Sequence, residues 1–264
     1  MSYADVNGIK LYYEIDGAGR PLVLLHGGLG AIEMFGPNLA ELAKGRQVIG
    51  VDLQGHGRTA DIDRPLSPEL MADDIAALIK HLKLERPDIM GFSLGGGVAV
   101  QTVIRHPEVV GKLVVVSTPI RRDAFYPDIL VQQRQVTAAA AEAMKQTPMY
   151  QMYASLAPRP EDWGRLLGKI GDAMKVDFDL SDQVAKIKAP TLIVAGDADI
   201  FPPAHAVEVF GLLGGGKGDP GWDGSGRPNS QLAILPGVSH YTMAIAPALA
   251  SVAIAFLDEP TVGH

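Results

Sequence analysis

Residues 88–97, D-I-M-G-F-S-L-G-G-G, change pattern at a single serine. Up to Phe92 the run is short, apolar and strand-like. From Leu94 the spacing is helical, continuing to about Arg105 and stopping near Pro107. A strand that passes straight into a helix must turn sharply, and Ser93 stands at that turn. Gly91 and Gly95, two positions before and two after it, have to be small because the two backbones nearly touch there. Gly96 and Gly97 extend the small face into the helix, where each glycine costs about 1 kcal/mol relative to alanine. Close packing is the expected compensation. Such a turn projects the hydroxyl above the sheet, so Ser93 is a candidate nucleophile. The plainer readings are a helix-capping serine or a phosphate cradle, and the second fails because no lysine, magnesium-binding hydroxyl or acidic partner accompanies these glycines.

The flanking runs place that turn in a parallel sheet. Apolar, β-branched stretches recur at 21–26, 47–52, 88–92, 112–117, 191–196 and 232–236, nearly unbroken, as in strands buried on both faces. The run I-K-L-Y-Y-E-I at 9–15 alternates more and reads as an antiparallel edge strand. Helices fall between the strands: one from Pro68 to about Leu82 with Ser67 as its N-cap, one from Leu94, and one over 246–257. Strand and helix in alternation mean a doubly wound α/β sheet. Residues 120–180 contain no convincing strand and read as a helical excursion. Residues 211–230 form a Gly/Pro/Asp-rich loop before the last strand. Within it Gly211 to Lys217 imitates the start of a phosphate loop. Gly218 stands where Ser or Thr should hold magnesium, and Asp219-Pro220-Gly221 follows instead of a helix, so no nucleotide site is expected.

Composition removes other classes. The chain has 264 residues, 47% of them hydrophobic, enough to bury one extended sheet in a single core. A net charge of −7 without a basic run argues against nucleic acid and anionic membranes as partners. Cysteine is absent, which removes disulfides, thiol nucleophiles and cysteine-metal sites. M-S-Y-A-D-V-N-G lacks the basic and apolar parts of a signal peptide, and no apolar run reaches the ~18 residues of a spanning helix. A cytoplasmic protein is the expectation.

A serine nucleophile needs a base, and the base needs an acid to orient it. Only groups beyond the carboxyl ends of the strands can converge on one site in such a sheet. His240, in L-P-G-V-S-H-Y, follows the last strand and meets that condition. His26 ends the second strand, His56 lies in a Gly-rich turn, and His205 is near a helix start. His81, His106 and His264 look peripheral. The acid should follow another strand, and G-D-A-D offers Asp197 and Asp199, which local chemistry does not separate. Two backbone N–H groups must face the developing oxyanion. The Leu94 amide is one, and the loop H-G-G-L-G at 26–30 offers the other, with Gly28 as donor.

Together these motifs resemble the α/β-hydrolase family over essentially the whole chain: P-L-V-L-L-H-G-G, V-D-L-Q-G-H-G-R-T, G-F-S-L-G-G-G, P-T-L-I-V-A-G-D-A-D and P-G-V-S-H. The resemblance implies an eight-stranded, mostly parallel sheet with a helical lid after the sixth strand. The core would then be 1–119 with 181–264, and the lid 120–180. The family's glycine, two residues, aspartate spacing counted from Gly196 selects Asp199 as acid. The resemblance likewise makes Ser93 the nucleophile, His240 the base, and Gly28 and Leu94 the oxyanion donors; His26 and His56 brace the loops. It implies neither cofactor nor metal.

Serine rather than aspartate at the turn argues against epoxide hydrolases and haloalkane dehalogenases. It favours acyl transfer on a small ester or lactone, as in small carboxylesterases and enol-lactone hydrolases. Perhydrolases, carbon–carbon hydrolases and non-catalytic ligand receptors of the same fold are the alternatives. Leu29, Phe92, Phe201 and Tyr241 flank the catalytic positions, and Phe125, Tyr126, Met149 and Tyr153 lie in the excursion. They are the expected lining of an apolar or aromatic acyl site in a monomer or homodimer. Arg121 and Arg122 could recognise a carboxylate, though pairing with nearby acids is the plainer expectation. The 211–230 insertion, between acid and base in sequence, is expected to bear on pocket access.

Overall fold

A computed structural model describes residues 2–260, so His264 lies outside the described residues. Eight strands form one sheet: β1 (Ser2–Val6), β2 (Ile9–Asp16), β3 (Arg20–Leu25), β4 (Arg46–Asp52), β5 (Asp88–Phe92), β6 (Leu113–Val116), β7 (Thr191–Ala198) and β8 (Gln231–Ser239). Their order is β1-β2-β4-β3-β5-β6-β7-β8. β1 and β2 run antiparallel, and β3 to β8 are mutually parallel. Asn7 and Gly8 both take positive φ between β1 and β2, as a two-residue hairpin turn requires. The 9–15 run is therefore antiparallel but second in the sheet. β1, S-Y-A-D-V, forms the edge, and its mixed composition hides it among flanking residues.

The unbroken apolar strings are explained by two cores, one on each face. Val23, Leu25, Ile49, Val51, Ile89, Val115 and Ile193 face one side, and Leu22, Leu24, Val48, Met90, Val114, Val116, Leu192 and Val194 face the other. Helices cover both: α1 (Pro37–Ala43) and α8 (Pro247–Asp258) on the second face, α2 (Pro68–His81), α3 (Leu94–Arg105) and, further along the chain, α7 (Pro203–Leu212) on the first. Ser67 caps α2 by accepting the Leu70 N–H at 3.3 Å. Among the described residues no helix is long and apolar enough to cross a membrane.

The excursion between β6 and β7 carries α4 (Pro127–Gln135), α5 (Pro148–Leu156) and α6 (Trp163–Ala173). Its incoming and outgoing segments are zipped together, Leu180 N–H donating to Ile120 O and Arg122 N–H to Phe178 O, both at 2.9 Å. α6 buries Trp163, Leu166, Leu167 and Ile170, whereas α4 buries none of its residues. Buried Asp61 accepts from Lys169 of α6 and forms an ion pair with Arg165 of the same helix, both at 2.6 Å, pinning α6 to the loop after β4.

The 211–230 insertion lies at the opposite end of the sheet from His240. It runs from the end of α7 to Gln231, where β8 starts beside Leu192, and Arg227 pairs with Glu259 just past α8. An influence on access to Ser93 is thus removed, because the loop adjoins the amino ends of β7 and β8.

Gly96 and Gly97 also separate. A Cβ on Gly96 would lie 1.9 Å from Thr118 Oγ1, whereas one on Gly97 would meet only Pro68 at 3.9 Å, an ordinary contact. Close packing thus accounts for Gly96 alone. Gly97→Ala should raise unfolding free energy by about 0.5–1 kcal/mol in urea titrations, and Gly96→Ala should lower it by about 1–3 kcal/mol. Equal effects from the two substitutions would contradict this packing account.

Candidate active site

Ser93 follows β5 with φ 53° and ψ −115°, a conformation costing on the order of 1–3 kcal/mol for a non-glycine residue. The fold imposes it. Ser93 N–H donates to Val116 O at 2.9 Å on one side, and its carbonyl accepts Gly97 N–H at 3.0 Å on the other. A Cβ at Gly91 would come within 2.1 Å of Gly95 O, and one at Gly95 within 2.4 Å of Leu25 O, so both positions need glycine. The hydroxyl makes no capping bond to α3, which disposes of the helix-cap reading.

Ser93 Oγ instead lies 3.1 Å from His240 Nε2, and His240 Nδ1 lies 2.9 Å from Asp199 Oδ1. An ionised carboxylate only accepts, so Nδ1 carries the proton and Nε2 is left to accept from the serine. Phe92 supports the imidazole, with ring centroids 5.0 Å apart. Asp199 is buried, and its Oδ2 accepts from Ser117 Oγ at 2.5 Å and Gly196 N–H at 3.1 Å. Its Oδ1 also accepts Ile200 N–H at 2.9 Å. Burial pushes this carboxyl up, but the bonds from His240, Ser117 and Ile200 outweigh it and hold it below its ordinary value. Asp197 is exposed and accepts Gly237 N–H at 2.9 Å, the turn role left for it.

The loop after β3 comes beside this line. Gly95 N–H donates to His26 O at 3.1 Å, and a Cβ on Gly28 would sit 3.9 Å from Leu94 Cβ. The Leu94 amide, first in α3, has no intrahelical acceptor and lies at the positive end of the helix dipole. Gly30 N–H closes the turn onto Gly27 O at 3.2 Å, and Leu29 between them takes φ 59°. His26 donates through Nδ1 to Gly27 O at 2.7 Å and accepts Leu53 N–H on Nε2 at 3.0 Å. His56 donates to Gln54 O at 2.8 Å. Both stay neutral as burial lowers His26 to about 4 and His56 to about 3.

The expected lining divides. Phe92, Tyr153 and Phe201 are core residues: Phe92 lies under His240, Tyr153 packs on Trp163 at 5.2 Å, and Phe201 meets His205 edge-on at 5.7 Å. Leu29 and Phe125 are half-buried, and Tyr126, Met149 and Tyr241 are exposed. Arg121 pairs with Asp123 and Glu208, and Arg122 with Asp177, so both guanidiniums are engaged. His205 Nε2 accepts Ile120 N–H at 3.1 Å where the excursion begins. Among the described residues no group of three or more His, Cys, Asp or Glu side chains could hold a metal ion. Ser117 is the contact to Asp199 that sequence reasoning missed, since it sits at the end of a strand as an unremarkable serine.

Residues 20–148 match the family described as alpha/beta hydrolase fold. The chain is 32% identical over 220 residues to the AB hydrolase superfamily protein YisY of Bacillus subtilis, covering 74% of this chain and 80% of that one. It is 26% identical to the putative carbamate hydrolase RutD of Azorhizobium caulinodans, over 94% of both chains. Among solved structures, the enol-lactonase from Burkholderia xenovorans superposes with a TM-score of 0.73 at 24% identity, covering 97% of this chain and all of that one. At that identity the likeness is one of fold.

The neutral histidines bear on stability. An unfolded chain protonates His26 and His56 near pH 6.5, so unfolding takes up protons from about pH 6.5 down to about 4 for His26 and about 3 for His56. Stability is therefore full above that range and falls as pH drops through it, by up to about 1.4 kcal/mol per pH unit for each histidine. Urea titrations at pH 7, 6 and 5 should show the decline. His56→Gln should remove about one proton from its slope; an unchanged slope would contradict a neutral His56.

Proposed function

Because this chain belongs to the α/β-hydrolase superfamily, we propose that it is a serine hydrolase of small carboxylic esters or lactones with an apolar or aromatic acyl group. The observation that carries the reading is the unbroken line from Asp199 through His240 to Ser93, at 2.9 and 3.1 Å, ending on a hydroxyl in a strained turn. In this reading His240 Nε2 takes the Ser93 proton as Oγ attacks the carbonyl. Asp199 stays ionised and stabilises the imidazolium, and the Gly28 and Leu94 amides receive the oxyanion. His240 then protonates the departing alkoxide. Water, deprotonated by the same imidazole, releases the acid and restores Ser93.

The excursion 120–180 is the proposed lid of this site, the rest of the chain its core. Tyr126 N–H donates to Ile200 O at 3.2 Å, linking the start of α4 to the residue after the acid. The exposed rings of Tyr126 and Tyr241, with half-buried Leu29 and Phe125, are the proposed apolar rim of this site, in keeping with the acyl preference. The paired arginines give no support to a substrate carboxylate.

A fluorophosphonate probe should label wild type and leave Ser93→Ala unlabelled. On p-nitrophenyl acetate, His240→Ala and Asp199→Asn should each lose about 10²–10⁴ in kcat, while Asp197→Asn stays within about twofold of wild type. Labelling that survives Ser93→Ala would end the proposal; where it is lost, a panel of esters, lactones and carbon–carbon substrates orders the classes.

A further inference from the structure

Asp199 accepts four hydrogen bonds, two on each oxygen, and three of them do not involve His240. Two of the three are amides of its own turn, Gly196 and Ile200. The other is Ser117 Oγ, from a different strand, and at 2.5 Å it is the shortest of the four. Ser117 is fully buried just past β6 and takes φ 48°, a left-handed conformation uncommon for serine. Its amide donates to Val194 O of β7 at 2.8 Å, which fixes where the side chain starts.

β6 lies between β5, which delivers Ser93, and β7, which delivers Asp199. The next residue, Thr118, shares its hydroxyl between Val116 O at 2.8 Å and Ser93 O at 3.1 Å. One dipeptide thus holds the acid on one side and the nucleophile's backbone on the other. A carboxylate is free to turn about its Cβ–Cγ bond unless both oxygens are held, and the longer bond from Gly196 at 3.1 Å is the other hold on Oδ2. We propose that Ser117 is a positioning residue whose Oγ–H fixes the plane of the Asp199 carboxylate so that Oδ1 faces His240 Nδ1. The left-handed backbone at Ser117 aims that hydroxyl. The inference rests on the serine-hydrolase reading.

Removing the hydroxyl should act on chemistry rather than binding. Ser117→Ala and Ser117→Gly should lower kcat for p-nitrophenyl acetate on the order of ten- to a hundredfold, with KM within about twofold. Asp199 also loses a donor to its ionised form and becomes the stronger base, so it holds the His240 proton more tightly. The acid limb of kcat/KM should therefore move to higher pH in both variants, a displacement that a merely structural serine would not cause. Glycine adopts φ 48° freely, so Ser117→Gly carries the test if Ser117→Ala does not fold. Folded variants that keep the wild-type kcat and pH profile, while Ser93→Ala is inactive, would overturn this inference and leave the serine-hydrolase reading standing. A wild type that neither takes the fluorophosphonate label nor turns over any ester would overturn both.

Discussion

The structure depends on one turn, the passage from β5 into α3 at Ser93. A positive φ there is tolerable only because three glycines remove the side chains that would keep strand and helix apart. Gly91 and Gly95 allow the two backbones, and the end of β3, to meet; Gly96 makes room for Thr118. The strain is held by ordinary backbone bonds, from Ser93 N–H to Val116 O and from Gly95 N–H to His26 O. Those bonds also tie the turn to β6 and to the glycine loop after β3. The residues that let Ser93 stand clear are the ones that fix its neighbours.

The parallel sheet does the rest of the assembly. Chain order reverses direction across the sheet between β3 and β5, the kind of point beyond whose carboxyl ends open α/β sheets gather functional groups. Ser93, Ser117, Asp199 and His240 leave the ends of β5, β6, β7 and β8, four consecutive strands. The register shift between Gly196 and Ala198 lets the end of β7 meet Ser239, the residue before His240. A Cβ on Gly196 would strike Val238 O at 2.0 Å, so this glycine permits β7 and β8 to close.

Most of this was legible because it is written in local pattern. Unbroken apolar strings report strands buried on both faces, and the strand–serine–helix junction reports the turn. Asp197 and Asp199 were locally alike; what separates them is the direction the chain takes after the bulge, which leaves one exposed and buries the other. β1 escaped notice because an edge strand needs only one apolar face. Ser117 escaped because its role comes from lateral neighbours 24 and 82 positions away in the chain, Ser93 by way of Thr118 and Asp199 directly. Gly96 and Gly97 are adjacent and identical in type, yet only the former faces Thr118, two residues past the end of β6. Of the eight expected lining residues, Phe92, Tyr153 and Phe201 flank or approach the site in sequence and are buried in the core.

Substrate preference was the least legible property, and the cause is physical. Ser93, Asp199 and His240 are over-determined by the sheet, whereas α4 buries nothing and α6 is fastened through Asp61, Arg165 and Lys169. Side chains on α4 answer to few packing constraints, so their types carry no periodic signature to read. Such a segment is free to change composition without disturbing the sheet. The fastening at Asp61 keeps α6 in place while that happens, leaving α4 as the part of the excursion whose composition the sheet constrains least.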